Sequence, residues 1–161
     1  MRDILQMLEA DGRLTVEQLA ERSGRAVDEV RQYVAGAEAD GTIRKYKAVV
    51  NWDQVEGSDQ LTLAFIEVKV TPQREFGFDA IAERILRFPE VRSLYLLSGS
   101  YDLHVVVQGK DLREIANFVT SKLATLETVM STTTHFVLKG YKIDGDAMKD
   151  DDIPQRLPVT M

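Results

Sequence analysis

The chain has 161 residues, 44% of them hydrophobic, which allows one large or two small globular domains. It contains no cysteine, which excludes disulfides and thiolate metal sites, and its net charge of −6 argues against a general polyanion binder. The N-terminus has no signal-peptide pattern, and no apolar run approaches the roughly 20 residues of a membrane helix. We therefore expect a cytoplasmic protein with no membrane partner.

The first quarter of the chain predicts a bundle of short helices. The apolar spacing indicates three of them, over residues 2–10, 16–22 and 27–40. Thr15, with Gln18 three residues later, forms a capping box at the start of the second helix, and Gly41 supplies a left-handed end for the third. A Ser-Gly turn separates the last two helices, which is the pattern of a helix-turn-helix.

A β-rich segment follows at residues 42–51, and two interpretations are open for it. It is either the wing of a winged helix or a strand that leads into the next domain. Residues 56–60 are polar and contain a glycine, so we place the domain boundary there. Residues 1–56 are thus predicted to be a winged helix-turn-helix domain with a linker strand.

The second part of the chain predicts strands and helices in the order βαββαβ. Their ranges are 61–70, 78–88, 91–97, 102–108, 111–126 and 129–138. This order is typical of the ferredoxin-like arrangement, a four-stranded antiparallel sheet with both helices on one face. The fold class is therefore α+β, with this sheet domain at residues 57–142. We expect residues 143–161, which are acidic and contain two prolines, to form a flexible tail.

The first strand is apolar on both faces, at Leu63 and Phe65 as well as at Ala64 and Ile66. The helices cover one face, and no predicted element is left to cover the other. A broad apolar face indicates an interface, so we expect a partner subunit there.

A short break, Ser-Gly-Ser-Tyr, separates the second and third predicted strands. We expect a tight hairpin turn at this point, because Gly99 can adopt a positive φ without a steric clash.

A helix-turn-helix followed by a βαββαβ domain resembles the Lrp/AsnC family of feast/famine transcription regulators. The resemblance covers about residues 2–142 and includes Asp-Gly-Arg at 11–13, Gly-Thr-Ile at 41–43, Phe-Pro-Glu-Val at 88–91 and Gly-Ser-Tyr-Asp at 99–102. It implies a homodimer joined through the sheets, often assembled further into an octamer. It also implies that a small molecule, commonly an amino acid, binds near the Gly-x-Tyr-Asp turn.

The resemblance and the chemistry of the side chains together nominate residues that contact double-stranded DNA. Just before and on the third helix these are Arg25, Arg31 and Gln32, and in the segment after it they are Arg44, Lys45 and Lys47. The acidic Asp28 and Glu29 on the same helix oppose phosphate. Residues 1–56 carry eight Lys and Arg against eleven Asp and Glu, a net charge of −3. The alternative is a helix-turn-helix that serves packing or partner binding only.

The candidate effector site combines the turn and the last strand. The amides of Gly99 and Ser100 suit a carboxylate, and Asp102 suits an ammonium group. Tyr101 belongs to the turn where the resemblance places the ligand. The hydroxyls of Thr132 and Thr134 share one face of the last strand and would complete a polar pocket, which is why an amino acid is expected. In the alternative, Gly99 only makes the turn, Asp102 caps it, and the threonines only fill the strand.

The two histidines, His104 and His135, both fall in predicted strands, where they are expected to be interface residues rather than a metal pair. The sequence predicts no catalytic residues, no cofactor and no metal.

The helix-turn-helix pattern and the family resemblance together predict a DNA-binding transcriptional regulator. The competing functions are a metabolite sensor or assembly protein of the same fold that does not bind DNA, and an enzyme similar to the sirohaem decarboxylases.

Overall fold

The computed structural model describes residues 1–56, 61–71 and 77–148. The chain divides into two compact units, Met1–Val50 and Asn51–Met161. The division falls six residues before the boundary predicted at residue 56. Asn51 already belongs to the second unit, where its side-chain amide donates a 2.7 Å hydrogen bond to the carbonyl of Met148.

The first unit contains the helices predicted for it. They are α1 (Arg2–Ala10), α2 (Val16–Ser23) and α3 (Val27–Ala39). The capping box of α2 forms, because the Thr15 side chain accepts from the backbone of Gln18 and the Gln18 side chain accepts from the backbone of Thr15. Gly24 and Gly41 adopt φ values of 66° and 78° at the ends of α2 and α3. The helices enclose a small core of Ile4, Leu8, Leu19, Ala20, Val30 and Val34.

The strand predicted for residues 42–51 does not form. Residues 44–50 follow α3 without regular secondary structure, and they are exposed. A strand needs a hydrogen-bonded neighbour, and none of the described segments pairs with this one. Its β-branched and aromatic composition is therefore not sufficient to make it a wing strand or a linking strand within one chain.

The second unit has the predicted order of elements, after a short 3-10 turn at Trp52–Gln54. They are β1 (Thr62–Val70), α4 (Asp79–Ile85), β2 (Val91–Leu96), β3 (Leu103–Gly109), α5 (Leu112–Phe118) and β4 (Val129–Phe136). The strands form one antiparallel sheet in the order β2-β3-β1-β4, which is the ferredoxin-like topology. Helix α4 ends at Ile85, three residues before the predicted end at Phe88, and the Phe88 N–H donates a 3.1 Å hydrogen bond to the Ile85 carbonyl. A π turn at Val119–Leu123 continues α5.

The sheet has one face in the core and one face open. Ala64, Ile66 and Val68 of β1 are completely buried, as are the alternate residues of β3, Leu103, Val105 and Val107. These side chains pack against the apolar sides of α4 and α5, at Ile81, Ile85, Ile115 and Phe118. The residues between them along each strand lie on the opposite face, because successive side chains of a strand alternate.

The flexible tail predicted from residue 143 does not begin there. Strands β5 (Lys142–Ile143) and β6 (Asp146–Ala147) form a small antiparallel hairpin. Its two-residue turn is Asp144-Gly145, with φ values of 49° and 97°, and an Asp-Gly pair with two positive φ values favours a tight hairpin. The prediction was wrong for this segment because it weighed the acidic composition and overlooked the turn. Residues 149–161 lie outside the described residues.

Candidate DNA-binding and effector surfaces

The exposed side of α3 carries two of the predicted DNA-binding residues, Arg31 and Gln32. Both are exposed to solvent. The Arg31 guanidinium forms ion pairs with Glu17 of α2 at 3.1 Å and with Asp28 at 3.5 Å. The side chain nevertheless remains 56% exposed, so the guanidinium is held at the surface of the protein.

Glu17 is an anchored partner for that arginine. Hydrogen bonds from its own backbone N–H and from the Thr15 hydroxyl, together with Arg31, lower the pKa of Glu17. The carboxylate therefore stays charged at neutral pH. It lies in the first turn of α2, where the helix dipole also favours a negative charge.

Arg25, the third predicted DNA-binding residue of this region, is turned towards the protein. Its guanidinium lies 3.3 Å from Asp3 of α1 and 3.8 Å from Glu29 of α3. Its Nε is buried and has no hydrogen-bond partner. These contacts tie the turn before α3 to α1, which is a structural role.

The basic segment after α3 is open to solvent. Arg44, Lys45 and Lys47 are all exposed. Next to them, Tyr46 donates a 2.8 Å hydrogen bond to Glu38 of α3, and burial together with this carboxylate raises the pKa of the Tyr46 hydroxyl. The bond holds the segment against the helix, while Arg44, Lys45 and Lys47 are exposed to solvent.

The turn between β2 and β3 differs from the tight hairpin that was predicted. It spans residues 97–102 and is closed by a 2.8 Å hydrogen bond from the Leu97 N–H to the Asp102 carbonyl. Gly99 does not adopt a positive φ, because a longer loop reverses direction over several residues and needs no left-handed position. A Cβ atom at Gly99 would meet no atom within 4 Å, so this part of the loop is open.

Asp102 is part of the sheet framework. Its carboxylate accepts a 2.9 Å hydrogen bond from the backbone N–H of Val70 and lies 3.5 Å from the Lys69 ammonium. Lys69 also donates to the carbonyl of Ser100, at 3.1 Å. Asp102 therefore links the start of β3 to the end of β1, with Lys69 as a second partner, which is a structural contact different from the capping of the turn that was the alternative.

Tyr101 joins the turn to the last strand. Its hydroxyl is 2.8 Å from the hydroxyl of Thr133. Thr132 and Thr134 share a face, as predicted, but the register pairs them with Val68 and Ile66, whose side chains point to the helices. The structure therefore does not bring Thr132 and Thr134 together with Tyr101.

The two histidines lie on the open face of the sheet. His104 packs between the rings of Phe65 and Tyr95, with centroid distances of 5.3 and 6.4 Å. His135 is 3.4 Å from the Glu67 carboxylate. Within the described ranges, no group of three or more His, Cys, Asp or Glu residues is arranged to hold a metal ion.

Sequence reasoning missed three polar residues at these sites, namely Glu17, Lys69 and Thr133. Each acts through a partner that is distant along the chain, so a local motif does not reveal it. For Thr133, the missing information was the register of β4 against β1, which pairs Thr132 and Thr134 with the core residues Val68 and Ile66 and so places Thr133 on the other face.

A three-helix unit with exposed basic residues, joined to an antiparallel ferredoxin-like sheet, defines a two-domain DNA-binding protein of the regulator type. Residues 1–44 match the winged helix-turn-helix DNA-binding family, and residues 63–147 match the Lrp/AsnC ligand binding domain. The chain therefore belongs to the Lrp/AsnC family.

Individual relatives agree with this assignment. The chain is 45% identical over 158 residues to the uncharacterized HTH-type transcriptional regulator YugG of Bacillus subtilis, covering 98% of this chain and 95% of that protein. It is similar to a transcriptional regulator of Neisseria meningitidis solved with L-methionine, with TM-score 0.68, 28% identity and coverage of 88% and 89%. It is also similar to a feast or famine regulatory protein of M. tuberculosis complexed with L-methionine, with TM-score 0.70, 26% identity and coverage of 92% and 96%.

These findings confirm that the chain is a DNA-binding transcriptional regulator with a ligand-binding domain and is not an enzyme. Neither a sensor that does not bind DNA nor a sirohaem decarboxylase gains support from them. In the part of the chain that is described, no helix combines the length and the apolar character needed to cross a membrane.

Proposed function

We propose that this regulator contacts DNA with Arg31 and Gln32 of α3 and with the basic segment of Arg44, Lys45 and Lys47. The observation that carries the proposal is that these side chains are exposed on one small unit, while Arg25 is engaged with Asp3 and Glu29. Arg31 and Gln32 suit base edges, and the basic segment suits phosphates. In this proposal Arg25 supports α3 through its ion pairs with Asp3 and Glu29.

The salt dependence of DNA binding tests the two roles. The net charge of −3 over residues 1–56 predicts few phosphate contacts and a shallow slope of affinity against salt. Arg44→Ala and Lys45→Ala are each expected to lower that slope by about one and to weaken binding to all sequences equally. Gln32→Ala is expected to leave the slope unchanged and to weaken only a preferred sequence. Fluorescence anisotropy over a range of salt concentrations measures both quantities, and equal slopes in all variants would contradict the assignment.

We infer that the ligand is an amino acid and that it binds at the open turn of residues 97–102. Two relatives were solved with L-methionine, and the turn offers the exposed backbone of Gly99 and Ser100 next to the polar side chains of Tyr101 and Asp102. A carboxylate can accept from turn amides. Thr132 and Thr134 do not take part in this version of the site, because they face the helices.

Titration calorimetry with L-methionine and the other amino acids tests this inference. Gly99→Ala is a sharp probe, since its Cβ meets no atom within 4 Å and its backbone is not left-handed. The variant is expected to keep the thermal stability of the wild type and to lose affinity for the ligand. Gly36→Ala on α3, where a Cβ also meets nothing, is the matched control and should bind as the wild type does. Absence of heat with every amino acid would remove the inference.

We propose further that the open face of the sheet packs against a second copy of the chain, and that such dimers assemble into larger oligomers such as an octamer. The support is the exposure of large side chains on that face, 37% for Phe65 and 55% for Tyr95. Static light scattering on the full chain tests the assembly, and a monomer at all concentrations would contradict it. We expect the protein to act in the cytoplasm, where its DNA is accessible.

A further inference from the structure

Arg31 of α3 is held from two sides by carboxylates of different helices. One terminal nitrogen lies 3.1 Å from Glu17 of α2, and the other lies 3.5 Å from Asp28 of α3. Each carboxylate engages one nitrogen through one oxygen. A guanidinium has five N–H donors, so N–H groups remain for a further acceptor.

We call the arrangement of Arg31 between Glu17 and Asp28 the carboxylate clamp. The clamp is connected to the start of α2 through Glu17. Thr15 caps that helix by accepting a 3.2 Å hydrogen bond from the Gln18 N–H. Leu19 and Ala20 of α2, buried beside Val30 and Val34 of α3, fix the two helices against each other. The first turn of α2, which carries Glu17, is therefore fixed relative to α3, which carries Arg31.

Such a clamp contributes little to stability, because all three side chains are more than half exposed and exposed ion pairs are weak. It does restrict the rotamers of a long side chain. Reading a guanine requires two N–H groups of one guanidinium in a fixed plane, so an arginine that is already oriented loses less freedom on binding. When DNA excludes water from the surface, the two ion pairs also become stronger.

We propose that Glu17 and Asp28 are positioning residues that orient the Arg31 guanidinium towards a guanine and so increase the sequence specificity of the protein. The proposal rests on the DNA-contact surface described above. It gives a function to acidic residues whose charge otherwise opposes phosphate.

The two roles of Glu17 predict different effects of its neutralisation on the specificity ratio. If Glu17 only repels phosphate, its neutralisation strengthens binding to every DNA sequence and leaves the specificity ratio unchanged. If it orients Arg31, its neutralisation strengthens binding to unrelated DNA and weakens or leaves unchanged the binding to a preferred site. Glu21 provides a matched control, because it lies one turn along α2 and forms no ion pair with Arg31.

The experiment uses the full chain and a duplex selected by the wild-type protein from a random pool, together with the same duplex scrambled. Anisotropy at one fixed salt concentration gives the affinity ratio for Glu17→Gln, Glu21→Gln, Arg31→Lys and the double variant Glu17→Gln/Arg31→Lys. We expect Glu17→Gln and Arg31→Lys each to lower the ratio about tenfold, and the double variant to lower it no further. Glu21→Gln is expected to preserve the ratio.

Equal ratios for Glu17→Gln and Glu21→Gln, or additive losses in the double variant, would overturn the positioning role while leaving the DNA surface intact. A wild-type protein that enriches no sequence would overturn both. Thermal melting of each variant identifies a folding defect. If Glu17→Gln is unfolded, Arg31→Lys with an unchanged ratio still overturns the proposal.

Discussion

The two faces of strand β1 differ in kind. On the face under the helices, Ile66 and Val68 are completely buried and belong to the apolar core, with Thr134 and Thr132 beside them on β4. On the other face, Phe65 is 37% exposed, Glu67 contacts His135, and Lys69 contacts Asp102. The first face is thus complete within one chain, whereas the second combines open apolar surface with polar bridges. This difference indicates which half of the strand maintains the fold and which half is available for binding.

The largest expected effect is on the covered face. Ile66→Ala should lower the free energy of unfolding by about 2–5 kcal/mol, because it removes fully buried methyl groups and leaves a cavity. Urea denaturation followed by circular dichroism measures the loss. Phe65→Ala on the open face is the comparison. Its loss should grow with protein concentration if a second copy covers the ring, and equal losses at all concentrations would contradict the contrast between the faces.

A charge on the open face is expected to have the next largest effect. Phe65→Glu should weaken self-association by at least about tenfold, since assembly would bury an unpaired carboxylate. Light scattering over a dilution series provides the measurement. Leu112→Glu is a suitable control, because Leu112 is 55% exposed on α5, on the other side of the sheet domain. If Phe65→Glu assembles at the same concentrations as the wild type, the open face of the sheet is exposed to solvent and is not an interface.

The polar bridge at Asp102 should contribute less. Asp102→Ala leaves the Val70 N–H without an acceptor and Lys69 without a partner, so we expect a loss of about 1–3 kcal/mol in unfolding free energy. Asp102→Asn retains an oxygen acceptor and should lose less. Chemical denaturation distinguishes them, and identical losses would mean that the hydrogen bond is not the source of the stabilisation.

The smallest effect is expected at Tyr101. Tyr101→Phe removes the hydroxyl that meets Thr133 and should cost about 0.5–1.5 kcal/mol. Tyr95→Phe is the matched control, since its hydroxyl has no hydrogen-bond partner in the described part of the chain. Thermal unfolding of the two variants gives the difference, and a melting point of Tyr101→Phe equal to that of Tyr95→Phe would remove the bridge as a stabilising contact.

Periodicity was sufficient to predict most of the fold. The apolar spacing of α3 and the alternation of β3 are local properties, so both elements were found close to their observed limits. The segment at residues 42–51 was not predictable in the same way, since its strand propensity has no effect without a neighbour to pair with. The hairpin at residues 142–147 was missed although Asp144-Gly145 is a strong local signal.

The candidate sites were harder to predict than the fold. The residue types at the turn and on α3 indicated chemistry, but the partners of those residues depend on tertiary contacts. Arg25 and Arg31 look equivalent in sequence, yet one contacts Asp3 from behind the helix and the other contacts Glu17 at the surface. The choice between Thr132 and Thr133 depends on the register of β4 against β1, where a shift of one residue exchanges the faces.

The hydrogen bond between Asn51 and Met148 brings the start of the sheet unit next to the end of the β5-β6 hairpin. A circular permutant that connects these two positions would therefore need only a short peptide bridge. New termini placed in the open loop at Gly99 would leave every strand of the sheet continuous, so the order of the segments along the chain can be changed while the architecture is kept.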